Sequence, residues 1–206
     1  MKTHTKLLVV ALTPLLLASC VMSEKPLSDE RTSRVDQKLI GAWRQVKSKG
    51  NPDAMTIGRK EIGSNVMQWV SLSLDKKQQV RVKRYDLFIK PGKTDYISIA
   101  LKPDANVIGK YKTPDSSTFH LYLLDLQVIG KAVEEGKLKG KIERQVVAEA
   151  AEQGKAKGKI EKKSTGDYKS VMLSDEPARI IDFLEKNAAT CYVKEPIVYR
   201  RQAAKP

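Results

Sequence analysis

Histidine, cysteine and aromatic residues are scarce in this chain of 206 residues, with two His, two Cys and 6% aromatics. Few histidines leave little for proton transfer near neutral pH. His120 stands between Phe119 and Leu121 in a strand-like run, where a packed or surface role suits it better than that of a base. The two cysteines, Cys20 and Cys191, form no Cys-x-x-Cys pair. Gly-x-Ser-x-Gly and His-Glu-x-x-His are absent, and the Gly-Lys stretches lack the Lys-Ser/Thr ending of a phosphate-cradling loop. The expectation is a protein that is not an enzyme and carries no cofactor or metal. A hydrolase built on two converging carboxylates stays open as a reading, although no pair is nominated. A membrane-spanning helix is lacking too: the greasiest stretch, Leu7–Leu17, covers at ~1.5 Å per residue only about half of a ~30 Å hydrocarbon core.

What is present begins with that stretch. Lys2 and Lys6 precede it and the small residues Ala18 and Ser19 follow it, the layout of a secretory signal. Leu17-Ala18-Ser19-Cys20 resembles the lipobox of bacterial lipoproteins, whose cysteine becomes the lipidated first residue of the mature chain. The resemblance implies a signal peptide over residues 1–19 and, on Cys20, a diacylglycerol thioether with an N-acyl chain such as palmitate. Several chains make such an anchor effectively permanent, whereas one binds only marginally. In Gram-negative bacteria an Asp after that cysteine is the usual inner-membrane retention signal. Val21 stands there instead, which implies the outer membrane, with the protein facing the periplasm.

The formal net charge is +14, of which Lys2 and Lys6 account for two. Export removes nucleic acid as a partner and leaves anionic lipid, lipopolysaccharide or the cell wall; a basic surface kept for solubility is the other reading. With Cys20 acylated, Cys191 has no intrachain partner and is expected to be buried as a small hydrophobe.

Residues 20–38 are polar and read as the lipidated N-terminus and a tether, followed by a single β-rich domain over 39–206. Val66, Val70, Leu72 and Leu74 alternate with Ser71 and Ser73. Ile97, Ile99 and Leu101 follow the turn Lys90-Pro91-Gly92-Lys93, and Phe119, Leu121 and Leu123 follow Pro114-Asp115-Ser116-Ser117. Period two between turn residues marks antiparallel strands buried on one side. The fold expected is mainly β with a few short helices (α+β), an antiparallel meander closing into a barrel or a sandwich.

Gly41-Ala42-Trp43 opens the domain, and Thr94-Asp95-Tyr96 precedes the alternating Ile97 to Leu101. These two motifs resemble those of the lipocalin family, in which Gly-x-Trp marks the first barrel strand and Thr-Asp-Tyr a later turn. The resemblance implies that Trp43 closes the barrel floor and that an Arg packs across it, Arg200 or its neighbour Arg201 by position. It also implies a small apolar or amphipathic ligand held within the sheet.

The second half repeats an 18-residue unit over 128–163, Val128 to Glu143 being echoed by Val146 to Glu161. Each copy reads as a short helix, a glycine C-cap at Gly136 or Gly154, and a strand, with Val133 and Leu138 of the first copy in the core. In those strands Lys137, Lys139 and Lys141, and in the echo Lys155, Lys157 and Lys159, fall on one face. Such rows either attract an anionic envelope partner or form a solvated edge that discourages strand pairing. Ser174-Asp175-Glu176-Pro177 supplies a cap and first-turn acids for a helix whose stripe of Ile180, Ile181 and Leu184 should cover an open end or face of the sheet. Ile197 to Arg200 should return as a final strand.

Overall fold

The computed structural model describes residues 21–46, 54–74, 79–144 and 167–203. Cys20, the leader and Lys155, Lys157 and Lys159 lie outside the described residues. After β1 (Val21–Ser23) comes a run of seven strands: β2 (Gly41–Gln45), β3 (Ala54–Arg59), β4 (Met67–Leu74), β5 (Val80–Lys90), β6 (Tyr96–Lys102), β7 (Ala105–Asp115) and β8 (Thr118–Leu123). Helix α1 (Leu126–Glu134) leads to β9 (Gly140–Arg144) and β10 (Tyr168–Leu173), and α2 (Pro177–Lys186) to the last strand, β11 (Ile197–Arg201).

Strands β2 to β8 pair antiparallel in sequence, and β11 joins β8 to β2, so eight strands close into a lipocalin-like barrel. Closure removes the free edges that an open meander would expose. An interior bounded by eight strands is just wide enough to be filled by side chains. Leu39, Trp43, Ile57, Met67, Leu87, Ile89, Ile97, Tyr111, Phe119 and Leu121 fill its lower half as one buried cluster. Turn chemistry fixes the hairpins: the Asp115 carboxylate accepts from Ser117 N at 2.7 Å, so the β7–β8 connection is stapled by its own side chain.

Against one wall sits a second layer. Here β1 pairs antiparallel with β7 and parallel with β10, and β10 pairs antiparallel with β9. Both helices bury their stripes on this three-stranded extension, Ile129 and Ala132 from α1 and Ile180 and Leu184 from α2. Asp125 caps α1 by accepting from Gln127 N and Val128 N, and Gly136, at φ +69°, ends its turn. The first repeat copy therefore folds as helix, glycine and strand, with Leu138 buried and Val133 packed against the same core. Neither described helix is long and apolar enough to cross a membrane.

Three expectations are corrected. The segment read as a tether is structural: Val21, Ser23, Leu27, Ser28 and Ser33 are buried, and Leu27 N and Ile89 N donate to the hydroxyls of Ser98 and Ser33 at 2.9 and 2.8 Å. Ser33 satisfies buried backbone of β5 while Ser98 of β6 satisfies that of the segment, an exchange that polarity alone does not reveal. On β4 the buried face is the other one: Met67 and Trp69 point into the barrel, while Leu72 and Leu74 are 44% and 45% exposed. Trp69, the largest side chain of the strand, takes the interior with Met67, and period two then carries Ser71 and Ser73 inward. Finally, α2 buries its stripe on a face of the sheet as expected, but the expected cap and first-turn acids are not formed: its N-cap Glu176 makes no side-chain capping bond, its first turn holds no acid, and the buried Asp175 carboxylate instead accepts from Lys139 N at 2.6 Å.

Candidate functional site

The barrel has a closed floor, and among the described residues its other end is not covered. At the floor Trp43 is fully buried and its Nε1 donates to Leu39 O at 2.8 Å. The guanidinium of Arg201 lies 4.4 Å from the Trp43 ring centroid and donates to Ile40 O, Lys38 O and Ser116 O at 2.5, 2.7 and 2.7 Å. A planar cation with several donors can stack on an indole and tie three chain segments at once. Gly41 makes room for it: φ is +146°, and a Cβ there would collide with Arg201 Nη1. Arg200, the stacking residue first expected, is exposed and stands opposite Arg44 and Thr118, because adjacent residues of a strand face opposite sides.

The segment before β2 plugs this end. Asp36 accepts from the Tyr111 hydroxyl at 2.8 Å, and burial together with that carboxylate holds the Tyr111 phenol far above the usual range. Asp95 of the Thr94-Asp95-Tyr96 turn accepts from Tyr111 N through its carbonyl at 3.1 Å and lies 3.8 Å from Arg34. Tyr96 points outward into the second core and is buried there.

At the opposite end the inward-facing residues are partly exposed: Gln45, Trp69, Ser71, Ser73, Tyr85, Leu101, Leu123 and Ile197. Inward residues near the floor are shut off from solvent, so this gradient shows an interior that opens upward. Trp69 meets Tyr199 edge-on, centroids 5.8 Å apart, and its Nε1 is buried without a hydrogen-bond partner among the described residues. Above them on β5, period two places Lys83 and Arg81 on the inward side, both exposed, with Ser71 and Ser73 opposite them on β4. The result is an aromatic throat beneath a basic, hydroxyl-bearing rim.

Other concavities lie on the outer surface. Crevices of about 400 and 480 Å³ both border Pro26, one against Arg84, Asp86 and Phe88 and the other against Ser28, Glu176 and Ala178. Among the described residues no three His, Cys, Asp or Glu side chains are grouped to hold a metal ion. Compared with known proteins, the chain matches no family model, no curated protein and no solved structure.

The described lysine row is interleaved with acids. Lys137 precedes β9 and pairs with Glu135 at 2.6 Å, holding that carboxyl below its usual range. Lys139 and Lys141 are exposed, but Glu143 continues their face and takes Lys169 at 2.5 Å. The floor residues Gly41 and Trp43 were legible from motifs, and the arginine only as one of the pair Arg200 and Arg201. Trp69, Tyr85, Tyr199, Arg81 and Lys83 were not, although the alternation of Met67, Trp69, Ser71 on β4 carried the signal.

Proposed function

We propose that this is a lipid-anchored envelope protein, held at the outer membrane by acyl chains on Cys20 and facing the periplasm, whose barrel binds a small amphipathic anion without catalysing its conversion. The observation that carries the binding half is the buried, unpartnered Trp69 Nε1 set beneath Lys83 and Arg81 in an interior that opens at that end. A buried donor left unmet costs free energy, and a ligand acceptor in the throat relieves it. An apolar tail lies along Leu101, Leu123 and Ile197, and an anionic head meets the rim cations. The anchor half is supported by Leu17-Ala18-Ser19-Cys20 and by Val21 after it. The alternative, an anionic partner held on Lys137, Lys139 and Lys141 with Lys155, Lys157 and Lys159, has less support because Glu135 and Glu143 dilute the described row.

The test is a fluorescence titration with palmitate and with the alcohol of the same chain length. Palmitate should shift the tryptophan emission, Trp69→Phe should remove most of that change, and Lys83→Ala should weaken binding by about two- to five-fold, the worth of one partly solvated ion pair. Equal affinity for acid and alcohol, or an unchanged signal in Trp69→Phe, would falsify the mouth as the site.

A further inference from the structure

The β4–β5 hairpin carries its apolar residues on the wrong side for a barrel that holds its core inside. Leu72 pairs with Val82 and Leu74 with Val80 across the two strands, and all four side chains face outward, 44%, 47%, 45% and 66% exposed respectively. The inner face of the same stretch is polar, with Ser71, Ser73, Lys83 and Arg81. Isolated apolar side chains on a surface need no explanation, but four contiguous ones on one hairpin mark a contact surface. We propose that this outer face is a bilayer-contact surface and that its occupant is an anionic lipid leaflet.

Two observations select that occupant. β4 bears no charge, Arg84 shares the outward face of β5 with Asp86 beyond it paired to Lys60 at 2.8 Å, and Arg81 and Lys83 ring the adjoining mouth, so the apolar patch has a net cationic surround. That combination matches an anionic headgroup layer over hydrocarbon, where basic residues and apolar side chains both gain. Four side chains on one hairpin also fall well short of the ~800 Å² per partner that a stable protein interface buries. A bilayer needs no complementary surface, and a chain already held at a membrane gains from a weak second contact through its high effective concentration. Leu74 and Val80, the described strand ends of the hairpin, stand at the barrel mouth, so the contact turns the mouth toward the leaflet. The proposal rests on the membrane location argued above, and on nothing about the ligand.

The test is photocrosslinking of the full chain in bacterial cells, with Leu74→p-benzoylphenylalanine and, independently, Val82→p-benzoylphenylalanine. Both positions are exposed, so the fold tolerates the larger ring. Lys112→p-benzoylphenylalanine, on the exposed outer face of β7, is the control. Irradiation should add the mass of a phospholipid at 74 and 82 several-fold more often than at 112. Membrane-bound chain that gives no such excess, or that crosslinks at these positions to a second copy or to any other protein, overturns the contact while leaving the anchor intact. Chain recovered as soluble protein without lipid adducts overturns both.

Discussion

Two adjacent arginines show how much a single position decides. Arg201 stacks on Trp43 and ties three carbonyls, whereas Arg200 reaches into solvent. Removing a charged donor from carbonyls it satisfies, together with a cation–π contact, costs about 1–3 kcal/mol. A surface truncation costs within about 0.5 kcal/mol. Arg201→Ala should therefore lower the thermal midpoint by several degrees and Arg200→Ala hardly at all; equal midpoints would mean that the floor does not depend on this contact. Cys191, expected as a buried small hydrophobe, is fully buried against α2, and desolvation pushes its thiol up to about 11 from 9.0. Above pH 9 the unfolded thiol ionises while the folded one stays protonated, so the native state holds more protons and stability falls as pH rises toward 11. The buried phenols of Tyr111 and Tyr192, both shifted upward by burial, act in the same direction at higher pH. The urea midpoint should drop between pH 8 and pH 10.5, and by less in Cys191→Ala; an identical drop in the variant would remove the thiol from the account.

At the scale of an element, β1 is the surprise. Three residues carry no period long enough to read, yet Val21 to Ser23 fill the slot between β7 and β10 and pair parallel with β10. Their worth comes from both neighbours at once. Asn106, buried, donates from its side chain to Ser23 O and Glu24 O at 3.1 and 3.2 Å, fixing the place where the chain leaves the wall. Amide exchange separates a strand from a tether: a tether exchanges almost freely, a strand only as its unit opens. The amides of Glu24, Leu27 and Arg34, which donate to Leu173 O, Ser98 Oγ and Ile89 O, should be protected as strongly as those of β7. Exchange on the timescale of an unstructured peptide would return residues 21–38 to the status of a linker.

At the scale of the whole molecule, one wall serves two cores. Ile97, Tyr111 and Leu121 pack inside the barrel, while Tyr96, Ile108 and Tyr122 of the same strands pack under the helices outside it. β7 makes this possible by changing partners along its length. It pairs with β1 through Asn106 and Val107 and with β8 from Gly109 onward. Lys110 sits at this seam with its ammonium 3.8 Å from the Tyr192 ring, and burial lowers its pKa. Among the described residues the outer layer covers one wall and not the mouth, the end that the proposed ligand site and the apolar hairpin share.

Local rules determined several strands and their turns, and a motif resemblance pointed to the floor. Period two marked β6 and β8, Pro91-Gly92 and Asp115-Ser116 marked their turns, Gly41-x-Trp43 marked the start, and glycine after a short apolar helix marked the first repeat. Tertiary structure decided everything that depends on which partner a strand meets. The parity that sends Arg201 rather than Arg200 to Trp43 is set by pairing between β11 and β2, far apart in sequence. The face of β4 that goes inside is likewise set by the barrel, since a shift of one residue exchanges every side chain between interior and solvent without changing the alternation. Polar residues 21–38 entered the domain through an exchange with distant strands, Glu24 N, Leu27 N and Arg34 N donating to Leu173 O, Ser98 Oγ and Ile89 O and Ile89 N donating to Ser33 Oγ, and those partners exist only once the strands have met.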